Sequence, residues 1–395
     1  MSRKLVLPLI ILSQFLCTSL WFAGNAVIPE LIKSFHLSGN AAGHLVSSVQ
    51  LGFITGTFIY AYFLITDRFR PSKVFFISAL LASLANIAVV FYATSINSLL
   101  FLRGATGFFL AGIYPVGMKI ASDHFGKDLG KVLGFLVGAL VLGTALPHLV
   151  NNFSGALSWS LVFNFTSSLC IIGGLIMLFI PNGDFNSPTN RNAPFKLSIL
   201  FRDKLFRGAA FGYFGHMWEL YTFWAFVPFI ILSWTKANQA PGITLSLLSF
   251  IIIASGSLGC VLGGYLSQKF GSGRVAFTAL KLSCLCCFLS PFIFLMPAVF
   301  FIAFMLFWSI VVIADSPMFS SLVAQNAPSS FKGTALTVVT CIGFSVTILS
   351  IELINILKDI LAPQYLFLFL TPGPLLGLLA MRSNLKPLIN QKLDL

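Results

Sequence analysis

The sequence predicts an all-α membrane protein with twelve transmembrane helices, arranged as two pseudo-symmetric bundles of six (6+6). Of its 395 residues, 57% are hydrophobic and only 9% are charged, whereas an average soluble domain has roughly 25% charged residues. Apolar runs recur at about the 20 residues of helix that a bilayer core of about 30 Å requires. A transmembrane barrel would instead show alternating segments of about ten residues. This pattern excludes a soluble enzyme.

The apolar runs predict twelve spans, which we number in chain order. The polar segment 181–206, rich in Asn and Pro, divides the chain into an N-terminal half (1–180) and a C-terminal half (207–395). The predicted spans cover residues 5–29, 41–64, 72–94, 98–121, 131–150, 158–180, 207–234, 243–266, 275–296, 298–322, 334–357 and 362–381.

Lysine and arginine are distributed unevenly between the predicted loops. With the N-terminus inside, the inner segments hold 19 of the 24 basic residues, and the outer loops hold only Lys33, Lys236 and Lys358. Cytoplasmic loops carry such an excess, so both termini and the 181–206 linker are predicted to be cytoplasmic. The topology also explains the net charge of +13 without nucleic acid as a partner. The compact chain favours a bacterial inner membrane.

No motif for metal or nucleotide chemistry stands out. Cys284, Cys286 and Cys287 do not match the CxxC spacing of metal sites, and there is no P-loop and no His-Glu-x-x-His. His124 and Asp128 are one residue short of the spacing of an acyltransferase motif. We therefore expect neither a cofactor nor an enzyme. A receptor derived from a transporter, which would show no flux, is the other alternative.

Landmarks of the first half recur in the second. Pro115 and Pro317 lie late in spans 4 and 10, 202 residues apart, and Gly130 and Gly333 open spans 5 and 11, 203 residues apart. Charged turns after spans 2 and 8 recur at an offset of 201. A duplicated unit of six spans around a central pathway is typical of transporters.

With these features, the chain resembles the major facilitator superfamily along nearly its whole length. In that family the loop after span 2 reads roughly G-x-L-x-D-R-x-G-R-R/K. Residues 63–73 keep Asp67, Arg68 and a downstream cation but lack both glycines, and residues 264–274 keep both glycines but carry Gln268 in place of the acid.

Spans 4 and 5 match the family in part. Span 4 of the family often carries R-x-x-Q-G-x-x-x-A, and this chain has Arg103 to Ala111 with Thr106 in place of Gln. Drug antiporters of the family usually carry G-P-x-x-G-G in span 5, whereas this chain reads Gly143-Thr144-Ala145-Leu146-Pro147. The departure weakens a drug-efflux interpretation.

The resemblance implies a cytoplasmic gate after span 2. The carboxylate of Asp67 would cap the positive N-terminal end of span 11. Arg70 or Lys73 would pair with Asp123, which lies at the inner end of span 4. A solvated cluster of charges is the alternative. The predicted gate residues are Asp67, Arg68, Arg70, Lys73 and Asp123.

Few ionisable residues fall within the spans. A charge at the bilayer centre costs about 2.5–3.5 kcal/mol and usually marks a functional site. His216 and Glu219 lie one turn apart near the middle of span 7, and we predict that they bind a proton or the substrate. The alternative is that they form a buried pair that only fixes the packing of the helices. Asp315 in span 10 is a second candidate for binding a proton, and the alternative is that it stabilises a kink beside Pro317. Arg103 would bind an anion or pair with a carboxylate, and Glu352 is predicted to have a structural or gate role.

By the resemblance, spans 1, 4, 7 and 10 line a central cavity. Polar residues of span 1 follow one another at helical spacing, and aromatic residues of the other three spans would stack on a flat or apolar substrate, unless they only pack. The predicted cavity residues are Gln14, Thr18, Trp21, Asn25, Tyr114, Tyr213, Phe223 and Trp308.

The sequence therefore predicts a secondary transporter that moves a small organic solute by alternating access. We expect coupling to protons through Glu219 and His216, as a symporter or an antiporter. The alternative is a proton-driven efflux carrier for drugs, siderophores or metabolites. A nitrate-type carrier is disfavoured because Arg103 has no second intramembrane arginine beside it. The expected partners are the substrate, protons and the lipid bilayer, and a monomer is expected.

Overall fold

The computed structural model describes residues 3–125, 129–154, 159–183, 200–240, 244–328 and 332–382, without the side chains at 3, 4, 67, 129, 154, 332 and 333. Across these ranges the chain forms α-helices and short 3-10 helices and no strand. The all-helical prediction is therefore confirmed. Most of the predicted linker 181–206 lies outside the described residues.

Eleven of the described helices are long and apolar enough to cross a membrane. They coincide with predicted spans 2 to 12, and every boundary agrees within four residues because hydropathy governs where a helix can enter a bilayer. Spans 2 to 12 are Ala41–Tyr62, Pro71–Tyr92, Ile96–His124, Gly130–Phe153, Ser160–Leu178, Lys204–Ala237, Leu245–Phe270, Ser272–Leu295, Ala298–Asn326, Thr334–Leu357 and Pro363–Arg382.

The first predicted span, 5–29, is not one continuous helix. An α-helix covers Arg3–Thr18, turns follow, and a 3-10 turn at Asn25–Val27 leads into the helix Ile28–Phe35. The apolar sequence continues through the break, so hydropathy alone did not reveal it. The carbonyl groups released by the break are bound from span 4.

Spans 4 and 10 are each interrupted just before a proline. Pro115 and Pro317 each stand in the first turn of the second piece. Proline lacks a backbone N–H and its ring clashes with the preceding turn, so one helix ends and another begins there. The pieces are Ile96–Leu110 and Tyr114–His124 in span 4, and Ala298–Ala314 and Ser316–Asn326 in span 10.

Spans 5 and 8 bring the two halves into close contact through small residues. A Cβ atom on Gly134 would lie 2.9 Å from the carbonyl oxygen of Cys260, and a Cβ atom on Gly264 would lie 3.7 Å from the carbonyl oxygen of Gly130. Nζ of Lys131 lies 5.0 Å from the ring centre of Tyr265. Small residues allow membrane helices to approach this closely. One cluster of buried apolar side chains extends through both halves.

Candidate functional site

Spans 7 and 10 meet in a fully buried acid–base pair. Nδ1 of His216 lies 2.8 Å from Oδ1 of Asp315, and neither side chain is exposed. Asp315 stands at the break of span 10, where its side chain makes no capping hydrogen bond. Among the described residues, Nε2 of His216 and Oδ2 of Asp315 have no hydrogen-bond partner. Buried polar groups are normally satisfied, so these two unpartnered atoms make the pair a candidate functional site.

The His216–Asp315 pair borders the surface between the two halves. The Tyr213 ring lies 6.0 Å from the His216 ring. The second piece of span 10, which begins directly after Asp315, packs against span 5 of the N-terminal half. One predicted cavity residue, Tyr213, thus lies beside the pair.

Glu219 does not pair with His216, contrary to the prediction. Its Oε1 accepts a 2.6 Å hydrogen bond from Nε1 of Trp308, and its Oε2 accepts a 2.9 Å bond from Oγ of Ser283 in span 9. The Phe223 ring packs 4.8 Å from the Trp308 ring. Residues three apart on a helix differ in direction by about 60°, so Glu219 faces the interior of its own half while His216 faces the break of span 10.

Arg103 also turns into its own half. Nη1 donates to Oδ1 of Asn86 at 2.7 Å, and Nη2 donates to the carbonyl oxygens of Leu20 and Trp21 at 2.9 and 2.7 Å. Its guanidinium carbon also lies 5.8 Å from the Phe163 ring centre. The predicted pairing of Arg103 with a carboxylate is therefore wrong. The broken span 1 exposes carbonyl groups that bind the guanidinium instead.

Arg103 and Glu219 each join three helices of their own half. Arg103 connects span 4 to span 1 and, through Asn86, to span 3. Glu219 connects span 7 to span 10 through Trp308 and to span 9 through Ser283. Under the predicted duplication, spans 1, 3 and 4 correspond to spans 7, 9 and 10. The same three helices are thus joined in each half, although the ionisable side chain stands on span 4 in one half and on span 7 in the other.

Aromatic rings from both halves form a continuous cluster, which we call the aromatic seal. Trp21 is central: its ring centre lies 4.9 Å from that of Phe53, 5.7 Å from Tyr221 and 5.8 Å from Phe344. The Phe53 and Phe344 rings are 4.5 Å apart. The seal consists of Trp21, Phe22 and Phe53 from the N-terminal half and Tyr221, Trp224 and Phe344 from the C-terminal half.

The remaining predicted cavity residues of span 1 are buried. Oγ1 of Thr18 donates to the backbone oxygen of Gln14 at 2.8 Å, and among the described residues neither polar side-chain atom of Gln14 has a hydrogen-bond partner. Nδ2 of Asn25 donates to the carbonyl oxygen of Ala225 at 3.2 Å. Span 1 and span 7 are therefore in direct contact across the two halves.

Polar contacts also join the ends of spans 2 and 11 that the predicted topology places outside; we call these the outer ends. Glu352, which was expected to have a structural or gate role, contacts His44 and Ser47 there. These contacts, the seal and the Asn25–Ala225 bond all join the two halves. His44 and Ser47 could not be identified from the sequence, because neither lies in a motif.

At the opposite, inner face, the predicted gate residues make contacts within the N-terminal half. Nη2 of Arg70 donates to the carbonyl oxygen of Ile180 at 2.8 Å, and Oδ2 of Asp123 accepts from Nζ of Lys119 at 3.1 Å. The predicted Arg70–Asp123 pair is therefore wrong: the guanidinium binds the negative C-terminal end of span 6.

The other three predicted gate residues are Asp67, Arg68 and Lys73. Arg68 and Lys73 are exposed. The side chain of Asp67 and residues 329–331, just before span 11, lie outside the described residues. The cap of Asp67 on span 11 therefore stays a prediction.

Comparisons with known proteins agree with this architecture. A bacterial homologue of the human lysosomal transporter Spinster, solved in an inward-facing and unoccupied conformation, superposes with a TM-score of 0.72 at 16% identity, covering 97% of this chain and 98% of that one. At this identity the likeness shows the fold alone. In both proteins the helices are therefore arranged in the same way.

Two curated relatives are named as transporters. Multidrug resistance protein 2 of Bacillus subtilis (strain 168) is 26% identical over 156 residues, which cover 39% of this chain and 38% of that protein. The galacturonate transporter of Dickeya chrysanthemi is 24% identical over 267 residues, which cover 62% of this chain and 75% of that protein. The chain thus spans less than half the length of the Bacillus relative.

The model of the major facilitator superfamily matches residues 10–351, which is most of the chain. This match, the helical membrane architecture and the transporter relatives agree. The chain is a multi-pass membrane transporter rather than an enzyme, and it belongs to the major facilitator superfamily.

Proposed function

We propose that this chain is a proton-coupled secondary transporter for a small organic solute, working by alternating access. The observation that carries the proposal is the buried His216–Asp315 pair, in which each side chain retains an unpartnered atom. A proton drives transport only if it binds the two open states differently. A pair beside the surface between the halves stands where a movement of the halves would change its surroundings, which supports the proposal.

Glu219 is the second candidate for the coupling group. Its position in span 7 supports it, whereas its bonds to Trp308 and Ser283 favour a role in holding the C-terminal half together. We place Asp315 ahead of Glu219 because Oδ2 of Asp315 has no hydrogen-bond partner among the described residues, whereas both carboxylate oxygens of Glu219 accept hydrogen bonds. Gln14, Trp21, Tyr114 and Tyr213 are the side chains that we propose for contact with the solute.

The proposal includes the arrangement of the chain in the membrane. It has twelve spans, with residues 3–29 forming the first, two six-helix halves joined by the cytoplasmic linker 181–206, and both termini in the cytoplasm. The excess of Lys and Arg on one side supports this orientation, and the bacterial relatives support an inner membrane. The functional unit is a monomer.

Two classes of solute follow from the relatives. Similarity to the galacturonate transporter supports an organic metabolite. Similarity to the Bacillus multidrug resistance protein supports the second candidate function, efflux of drugs, siderophores or metabolites. The aromatic rings of the seal suit a flat or apolar solute of the second kind.

Thermal shift of the purified full chain against a broad metabolite and drug library at pH 6 and pH 8 tests the proposal. A ligand at 100 times its Kd adds about 2.7 kcal/mol. We expect a ligand whose shift depends on pH in the unsubstituted chain and in the control Asp123→Asn, but not in Asp315→Asn. A pH dependence lost only in Glu219→Gln would assign coupling to Glu219, and one that persists in both variants would contradict coupling through either carboxylate.

A further inference from the structure

At the outer ends of spans 2 and 11, one carboxylate of span 11 contacts two side chains of span 2. Oε1 of Glu352 accepts a 2.6 Å hydrogen bond from Oγ of Ser47, and Oε2 lies 3.1 Å from Nδ1 of His44. Ser47 and His44 belong to the N-terminal half and Glu352 to the C-terminal half. Any movement that separates the halves at this end must break both contacts.

A second row of contacts lies one turn further out. Nδ2 of Asn355 donates to the carbonyl oxygen of Asn40 at 3.0 Å, and Nζ of Lys358 donates to that of Gly39 at 2.6 Å and to Oδ1 of Asn355 at 2.7 Å. A Cβ atom at Gly43 would clash with the side chain of Asn355. The glycine therefore permits the close approach of the two helices.

His44 and Glu352 differ from the central pair in their access to solvent. The side chains of His44 and Glu352 are 47% and 29% exposed, whereas those of His216 and Asp315 are fully buried. The outer pair is thus not enclosed by the protein, and it lies within two turns of the outer ends of spans 2 and 11. We therefore expect protons from the solution at this face to reach it while the halves are in contact.

We propose that His44 and Glu352 form a second proton-binding site, which favours closure of the outer side when the surrounding solution is acidic. A protonated His44 carries a positive charge beside the carboxylate of the opposite half and attracts it. A neutral His44 leaves only hydrogen bonds across the same contact. Protonation therefore stabilises the closed outer side, because only that state holds the two groups together.

Other charged groups surround the site. The nearest is Lys358, whose pKa is lowered by burial and raised in part by Asp359 and Glu352. Their charges act together with the pair, and among them His44 is the group that lies in direct contact with Glu352 across the two halves. The charged and titratable groups of the neighbouring elements are Glu30, Lys33 and His36 on the helix Ile28–Phe35 and its end, Arg103 on span 4, His216, Glu219 and Lys236 on span 7, Asp315 on span 10, and Lys358 and Asp359 after span 11.

A distance measured across the outer side tests this site without any knowledge of the solute. Spin labels are attached at Ser38→Cys and Ile360→Cys, which are exposed positions on opposite halves. The distance between the two labels, measured by double electron–electron resonance in lipid nanodiscs, reports closure of the outer side. The partly exposed Cys284 and Cys341 are replaced by serine, and the other five cysteines are buried. The full chain is measured at pH 5.5 and pH 8, and every comparison is repeated with Asp315→Asn present, so that the central carboxylate does not contribute to the response.

We expect the ratio of closed to open molecules to rise about two- to fivefold on acidification, as the strength of a partly exposed ion pair indicates. His44→Gln should remove this response, and His44→Lys should keep the outer side closed at both pH values. His36→Gln, at an exposed histidine of the same face, is the matched control and should respond like the unsubstituted chain.

A response that persists in His44→Gln, or that is absent from the unsubstituted chain, would overturn the proposal. Glu352→Gln provides a second variant that retains hydrogen bonding but not the charge, and it should behave like His44→Gln. The inference uses the alternating access of the proposed function but not its central coupling site. Failure of Asp315→Asn to alter ligand binding would leave this outer response unaffected, so the two proposals fail separately.

Discussion

Nε1 of Trp308 donates a 2.6 Å hydrogen bond to Oε1 of Glu219 and so connects span 10 to span 7 inside the C-terminal half. Both side chains are fully buried. A buried acceptor that loses its donor costs about 1–3 kcal/mol, so this contact allows a direct test of how much the interhelical hydrogen bonds of Glu219 stabilise this half.

Trp308→Phe removes the donor but keeps an aromatic ring. We expect it to lower the free energy of unfolding by about 1–3 kcal/mol, measured as a lower thermal midpoint in detergent. Trp234→Phe is the matched control, because the Trp234 ring stacks on Phe301 at 4.5 Å while its Nε1 has no hydrogen-bond partner among the described residues. Equal losses in the two variants would contradict the importance of the bond to Glu219.

Asp315→Asn should separate coupling from movement of the solute. Without an ionisable group at this position, a pH gradient should no longer drive accumulation into proteoliposomes, whereas exchange of labelled for unlabelled solute should continue. This expectation follows because exchange needs the two open states but no net proton movement. Gradient-driven accumulation that survives in Asp315→Asn would exclude this carboxylate as the coupling group.

Arg103→Gln should destabilise the N-terminal half. It leaves the carbonyl oxygens of Leu20 and Trp21 without their common donor, at a cost of more than about 3 kcal/mol in thermal unfolding. Arg103→Lys keeps the charge but not the planar fork, so an intermediate loss is expected. An unchanged midpoint combined with weaker binding of an anionic solute would instead show that Arg103 is a binding residue.

Gly134→Ala should force spans 5 and 8 apart. The added Cβ atom would lie 2.9 Å from the carbonyl oxygen of Cys260, and overpacking of this kind costs about 1–3 kcal/mol. Gly130→Ala is the control one turn earlier, where a Cβ atom would meet no other atom within 4 Å. There we expect a neutral effect or a gain of up to about 1 kcal/mol from helix propensity, and a similar loss at both positions would contradict the model of close contact.

The positions of the spans could be predicted because hydropathy determines which segments enter a bilayer. The prolines at 115 and 317 also marked real breaks, since the cause is local to the residue. The break after Thr18 could not be found in this way. The carbonyl groups that the break releases are bound by Arg103, which lies some 80 residues further along the chain. The residues around Thr18 therefore do not reveal how the break is compensated.

The candidate site was predicted in its residue types but not in its partners. Spacing along span 7 placed His216 and Glu219 one turn apart, yet it contained no information about which helix stands opposite each side chain. His216 meets Asp315, and Glu219 meets Trp308 and Ser283. Asn86 and Ser283 gave no signal, because a single polar residue in an apolar span is common.

The aromatic seal has a consequence for the electrical behaviour of the membrane. Narrow hydrophobic constrictions exclude water, and the rings of Phe53 and Phe344, 4.5 Å apart, pack against one another beside Trp21. A file of water molecules from one face to the other would conduct protons and dissipate the voltage that the cell maintains. In the alternating access that we propose, one side stays closed while the other opens, and a closed side lined by these rings would prevent such a file of water from discharging the membrane.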